Sequence, residues 1–220
     1  MVIPWKAVFE SFTRNNLVTP HDYMSYYKNI IHRGIGVRKR FHLPDVCRLC
    51  GSRGESSSHL LECSRVHPIW VELFRLLSEM LGWRLRPSFA AVYFCISPRG
   101  RLLSKGVCTA IRLTWKFILM DFHMVDMVGS TFFAPSVLPR AMRRLYERIL
   151  AWEQGWQRQA FLQSTNGIRP AISPTRVTKV MGPFASDATE EAEERALCLH
   201  PRFQAYLTTH GVYAPPTDPE

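Results

Sequence analysis

Apolar residues recur at three- and four-residue steps over much of the chain, the period of a helix with one buried stripe. Over Pro68 to Leu81 the stripe is Trp70, Leu73, Phe74, Leu77 and Leu81, with a proline near its first turn and Gly82 after its end. Over Lys105 to Val125 it is Val107, Ile111, Thr114, Ile118, Phe122 and Val125. After a loop punctuated by Pro135 and Pro139, Met142, Leu145, Ile149, Trp152 and Trp156 form a third stripe. The two long seams predict an antiparallel helix pair, with Trp115, Trp152 and Trp156 joining its members. Nearer the start, Ala7, Val8 and Phe9 mark a short helical piece, and Thr19-Pro20-His21-Asp22 opens another that runs through Tyr23 to His32 until Gly34 and Gly36 interrupt. The apolar run Phe89 to Ile96 fits a strand or a buried helical turn, and periodicity does not separate the two.

Beyond Ser164 the pattern stops. Seven of the 15 prolines fall in 166–220, Glu190 to Glu194 is acid-rich, and Ala214-Pro215-Pro216-Thr217-Asp218-Pro219-Glu220 has no apolar period. A largely extended tail is expected there, with a short docked helix over 187–199 as its one ordered piece. The expected fold is mostly α. Residues 1–82 form a helical metal-binding module, 83–165 a helical region with the two long helices, and 166–220 the tail.

Composition supports a folded chain. With 46% hydrophobic and 12% aromatic side chains, 220 residues can bury enough apolar surface to offset the ordering entropy. No stretch approaches about 18 uncharged apolar residues, and Met1-Val2-Ile3-Pro4-Trp5-Lys6 lacks the layout of a signal peptide, so the expected location is intracellular and off the membrane. In such a compartment the six cysteines are expected as thiols.

Three of those cysteines cluster. Cys47, Cys50, His59 and Cys63 read C-x2-C-x8-H-x3-C. Two cysteines three apart fit a tight turn that aims both sulfurs at one point, and Gly51 supplies the backbone freedom such a turn needs. His59 and Cys63 stand one helical turn apart and share a face if Ser57 or Ser58 caps a helix there. Three thiolates and an imidazole suit one structural Zn²⁺ with no open coordination position, and therefore a folding role rather than a catalytic one. His67, four residues past Cys63, is an alternative to His59, disfavoured by the adjacent Pro68.

Charge adds a partner. The chain carries +10, and residues 1–165 hold 23 basic against 11 acidic side chains. A field of this sign favours a polyanion, nucleic acid first. Around the cysteine cluster, Arg38, Lys39, Arg40, Arg48 and Arg53 are the candidate phosphate contacts, with Arg38-Lys39-Arg40 also readable as a solvated loop or a nuclear-import signal. The Arg140, Arg144, Arg148 stripe reads as a solvated helix face supported in part by Glu147, with a second phosphate face as the alternative. Cys95, Cys108 and Cys198 lack an evident base and read as buried small hydrophobes, and neither a glycine-rich phosphate loop nor an Asp-Asp pair is present. No catalytic residues are assigned, and the chain is not read as an enzyme.

Cys47-Arg48-Leu49-Cys50-Gly51, Glu55, His59-Leu60-Leu61-Glu62-Cys63 and Trp70 together resemble the zinc-binding domain found C-terminal to the reverse transcriptase of non-LTR (LINE-like) retrotransposons. The resemblance covers about residues 5–125 and includes Ile30-Ile31-His32-Arg33-Gly34 ahead of the cluster and Trp115 after it. Three residues separate His59 from Cys63 where family members usually have four. The resemblance implies a zinc module that helps a retroelement protein hold RNA or DNA, non-catalytic, with a reverse transcriptase polypeptide as partner; the chain then looks like the C-terminal end of such a protein or its remnant. A zinc-stapled helical protein-interaction module is the alternative.

Overall fold

The computed structural model describes residues 3–13, 17, 19, 44–129, 131–165, 181–187 and 197–213. The helix expected over Tyr23 to His32 and the basic run Arg38-Lys39-Arg40 lie outside them. Among the described residues seven α-helices follow in chain order: α1 (Trp5–Thr13), α2 (Ser57–Glu62), α3 (His67–Leu81), α4 (Phe89–Phe94), α5 (Lys105–Val128), α6 (Ala134–Thr165) and α7 (Pro201–Thr209). Between α6 and α7 a 3₁₀ turn, Gly182–Phe184, leads into a two-stranded antiparallel sheet, β1 (Ala185–Asp187) with β2 (Leu197–Leu199), in register Ala185 opposite Leu199. Among the described residues no helix is long and apolar enough to cross a membrane.

The predicted stripes become buried faces. On α3, Trp70, Leu73, Phe74 and Leu77 are buried, each aliphatic one stabilising the fold by roughly 1.5–3 kcal/mol. Gly82 ends the helix in the left-handed region at φ 68°, where a side chain would be strained. The run Phe89 to Ile96 resolves as a helix, α4, capped by the Ser88 hydroxyl accepting from the Ala91 amide, and then a single bridge from Ile96 to Leu102.

Helix α5 is the hub. Rather than one buried face it has a fully buried stretch, every residue from Gly106 to Trp115. Trp115 lies 5.0 Å from Trp70 and 5.0 Å from Tyr93, ring centre to ring centre, and its indole N–H donates to the Val92 carbonyl at 3.0 Å. It therefore joins α5 to α3 and α4, which corrects its expected role between the two long helices. Arg112, 3% exposed, donates to the Ser11 carbonyl at 2.9 Å and to the Ser11 hydroxyl at 2.6 Å, fastening α1 to the same helix.

Helices α5 and α6 pack along each other, with Met142, Leu145 and Ile149 buried as the periodicity predicts. An Arg140–Asp121 ion pair links them, and the guanidinium sits 5.1 Å above the Phe117 ring. Pro135 and Pro139, expected in a loop, lie within the first turns of α6. A proline in the first turn lacks only an N–H that has no helical partner there, whereas Pro139 removes one rung. Trp152 is half-buried.

The extended tail expected over 166–220 is corrected for its described residues. Met181, Phe184, Phe203 and Leu207 are fully buried, and the Phe184 and Phe203 rings meet edge-on at 5.0 Å. The 3₁₀ turn packs on α3 and α5, and α7 on α3 and α6. Of the helix expected over 187–199, residues 188–196 lie outside the described residues, its described ends, Asp187 and Leu197–Leu199, lie in strands, and a helix follows at Pro201–Thr209. One glycine makes this possible: a Cβ on Gly106 would stand 1.9 Å from the Met181 carbonyl oxygen. Gly106→Ala should therefore force residues 181–184 off the first turn of α5. Urea unfolding is expected to show a loss of at least about 2 kcal/mol, with limited proteolysis shifting to the segment before α7.

Candidate metal centre

The centre is built from a turn and a capped helix. Residues 46–53 fold back on themselves: Val46 bridges Arg53, the Cys47 amide donates to the Ser52 carbonyl at 2.7 Å, and the Gly51 amide donates to the Cys47 carbonyl at 2.8 Å. Gly51 holds φ +76°, which closes the turn and leaves the Cys47 and Cys50 sulfurs on one side. Facing them, α2 is capped by Ser56, just ahead of the expected Ser57 or Ser58, and the Ser56 hydroxyl accepts from the His59 amide at 3.1 Å. His59 lies in the first turn of α2 and Cys63 is its C-cap.

Cys47, Cys50, His59 and Cys63 converge, their ligand atoms all within 4.8 Å of one another. The Cys47 and Cys63 sulfurs are 3.9 Å apart, and the Cys50 sulfur is 3.2 Å from His59 Nε2. A tetrahedral ion with metal–sulfur bonds of about 2.3 Å separates two sulfur ligands by about 3.8 Å, which the Cys47–Cys63 pair matches, and the four groups are close enough together that they could hold one ion. His67 takes no part. It is exposed, with Nδ1 3.1 Å from the Leu61 carbonyl oxygen.

Crowding dictates the electrostatics. The hydrogen bond from the Cys63 thiol is the main force lowering Cys47, to about 4 against burial that opposes it. The same hydrogen bond, reinforced by burial, drives Cys63 upward. Cys50 is lowered despite burial by hydrogen bonds to Ser52. Burial pulls His59 toward its neutral form, yet the hydrogen bonds and negative charge of Cys50 and Cys47 outweigh it and raise its pKa. A cluster that concentrates negative charge while retaining protons is a site a divalent cation neutralises as those protons leave.

Of the candidate phosphate contacts, Arg53 is exposed and Arg48 is not. The Arg48 side chain is 4% exposed and that of Glu55 1%; the guanidinium donates to both carboxylate oxygens, at 2.8 and 3.1 Å, and the Arg48 amide donates to Glu55 as well. The guanidinium also lies 4.0 Å over the Phe122 ring. Arg48 thus docks the metal loop onto α5, and reaching a phosphate would require breaking a buried pair. The stripe on α6 is likewise engaged: Arg140 with Asp121, Arg144 with Glu147, Arg148 with the Leu17 carbonyl. Cys95 and Cys108 are buried as expected, whereas Cys198 is exposed.

The sequence reading missed the Arg48–Glu55 pair. Its signal was the acid itself, the only one between Cys50 and His59, in a loop where a buried arginine needs a counter-charge.

Glu55→Ala would leave a buried guanidinium unpaired, and denaturation of the metal-loaded protein should show a loss of about 3–5 kcal/mol. Because metal must displace protons from His59 and the cysteines, apparent affinity should fall as the pH is lowered through neutrality. The expected slope is about tenfold per pH unit per displaced proton, read by competition with a chromogenic chelator. Compared with known proteins, the chain matches no family profile, no curated protein and no solved structure.

Proposed function

We propose that the chain is a zinc-stabilised, non-catalytic nucleic-acid-binding module of the kind found C-terminal to the reverse transcriptase of non-LTR retrotransposons. The observation that carries this reading is the convergence of three sulfurs and one imidazole within 4.8 Å in the order C-x2-C-x8-H-x3-C. A Cys₃His donor set selects zinc among abundant divalent ions because thiolate is a poor ligand for magnesium or calcium. With all four positions supplied by protein, the ion's contribution is folding energy, on the order of 10–16 kcal/mol for small zinc modules. The short link 129–133 between α5 and α6 supports their antiparallel arrangement behind the module. The positive balance of the chain supports nucleic acid as partner, RNA or DNA, and a reverse transcriptase polypeptide as its companion.

One observation favours the protein-interaction reading. Trp5 and Phe89 are about half exposed, and both rings contact Phe94, at 5.2 and 5.8 Å, making an aromatic surface between α1 and α4. The two readings separate in one titration. The zinc-loaded protein should bind a labelled single-stranded oligonucleotide and lose affinity steeply as salt rises; absent or salt-insensitive binding overturns the nucleic-acid reading. Metal analysis should give one zinc per chain in the wild type and in Cys108→Ser, but none in Cys50→Ser. Zinc retained by Cys50→Ser would remove the basis of the proposal.

A further inference from the structure

A cleft of about 380 Å³ opens between the end of α3, the start of α5 and the loop 96–102, well removed in sequence from the metal ligands. Its lining joins an apolar floor of Leu81, Leu103 and Val107 to a tryptophan, Trp83, and two arginines, Arg99 and Arg101. The volume falls in the range of small-ligand clefts, roughly 300–1,000 Å³.

Each polar element is held by local structure. Gly82, left-handed at the end of α3, turns the chain so that Trp83 reaches the cleft while 44% exposed. The arginines flank Gly100, at φ +74°, in a turn closed by three bonds: the Gly100 amide to the Ser97 carbonyl at 2.9 Å, the Ser97 amide to the Arg101 carbonyl at 2.8 Å, and the Arg101 amide to the Ser97 hydroxyl at 3.3 Å. The Ile96–Leu102 bridge fixes its base.

Charge identifies the occupant. Residues 82–104 contain four arginines, Arg84, Arg86, Arg99 and Arg101, and no acidic residue, and all four arginines are exposed. A half-exposed indole offers a face to a flat aromatic ring, and guanidiniums beside it offer forked donors to a phosphate. A ligand that is both aromatic and anionic meets both demands.

We infer that this cleft receives an unpaired nucleotide of a single-stranded nucleic acid, its base stacked on Trp83 and its flanking phosphate held by Arg99 and Arg101. The inference rests on the nucleic-acid reading above and gives it a location. Duplex would be excluded because a paired base presents no free face to the indole.

The test uses the full zinc-loaded chain and a fluorescein-labelled ten-nucleotide oligo(dT) or oligo(U), followed by anisotropy at low salt. Trp83→Ala is expected to weaken binding about 5- to 100-fold, and Trp83→Phe to restore most of it. Arg99→Gln with Arg101→Gln should reduce the slope of log affinity against log salt by about one. Circular dichroism and zinc content identical to wild type show that each variant is folded, and photocrosslinking of an iodouridine oligonucleotide should map to Trp83. If wild type binds and these variants bind equally well, the cleft is not the site while the nucleic-acid reading stands. Failure of the wild type to bind any single strand overturns both. Displacement of the oligonucleotide by an acidic peptide at equal charge concentration would reassign the cleft to a protein partner.

Discussion

Three sulfurs and an imidazole gathered into one small volume cannot all be in their deprotonated, ligating form, three thiolates and a neutral ring, without a cation. In the cluster of Cys47, Cys50, His59 and Cys63 the conflict is visible in how the protons divide: Cys47 is driven down to about 4 because Cys63 is driven up and donates to it. One proton is thus shared between two buried thiols whose sulfurs are 3.9 Å apart. A tetrahedral dication would replace that compromise with four favourable bonds, and the loop 44–56, whose buried side chains are few, would gain the rigidity that apolar packing does not supply there. The rest of the molecule can be read as a support that brings the two halves of this cluster together.

That support works through one arginine. Arg48 lies between the two cysteines of the turn, so its position follows theirs, and its guanidinium is clamped by Glu55 and laid over Phe122 of α5. Burying a charge is costly unless every donor is used, and here the bidentate carboxylate and the aromatic face share the task. The metal turn is consequently docked on the central helix and not merely tethered to it. Helix α5 in turn holds α1 through Arg112 and Ser11, and α3 and α4 through Trp115. Metal loop and helical core form one connected body at these contacts.

What the sequence made legible follows from the range of each interaction. The cluster of three cysteines and a histidine was readable because its spacing is local, and the faces of α3 and α6 because helical period is a property of a dozen consecutive residues. Errors arose where the deciding contact was distant. Trp115 carries no mark of which neighbour it meets, and only the tertiary arrangement gives it to Trp70 and Tyr93 rather than to α6. The described residues from 181 onward form short elements, the 3₁₀ turn, β1, β2 and α7, each too brief to display a clear period, and the seating of Met181 and Phe184 depends on the distant Gly106. Pro139 was expected in a loop, yet packing of α6 on α5 outweighs one missing hydrogen bond.

Net charge is a coarse measure for a related reason. Counting lysines and arginines treats each as part of an external field, but Arg48, Arg112, Arg140 and Arg148 are engaged by Glu55, Ser11, Asp121 and the Leu17 carbonyl. All four guanidiniums are structural cross-links; the charges of Arg48 and Arg140 are matched at short range by carboxylates and add little at a distance, whereas Arg112 and Arg148 have donors satisfied by neutral oxygens. The outward field of the described residues is therefore carried by a smaller set, and within 82–104 it is unopposed by any carboxylate of the same segment. A polyanion approaching the protein would sense that local excess more than the formal total. Where an excess of exposed guanidinium coincides with an exposed indole and a cleft between them, electrostatic attraction and ring stacking act on the same ligand, and that coincidence separates a recognition surface from a merely soluble one.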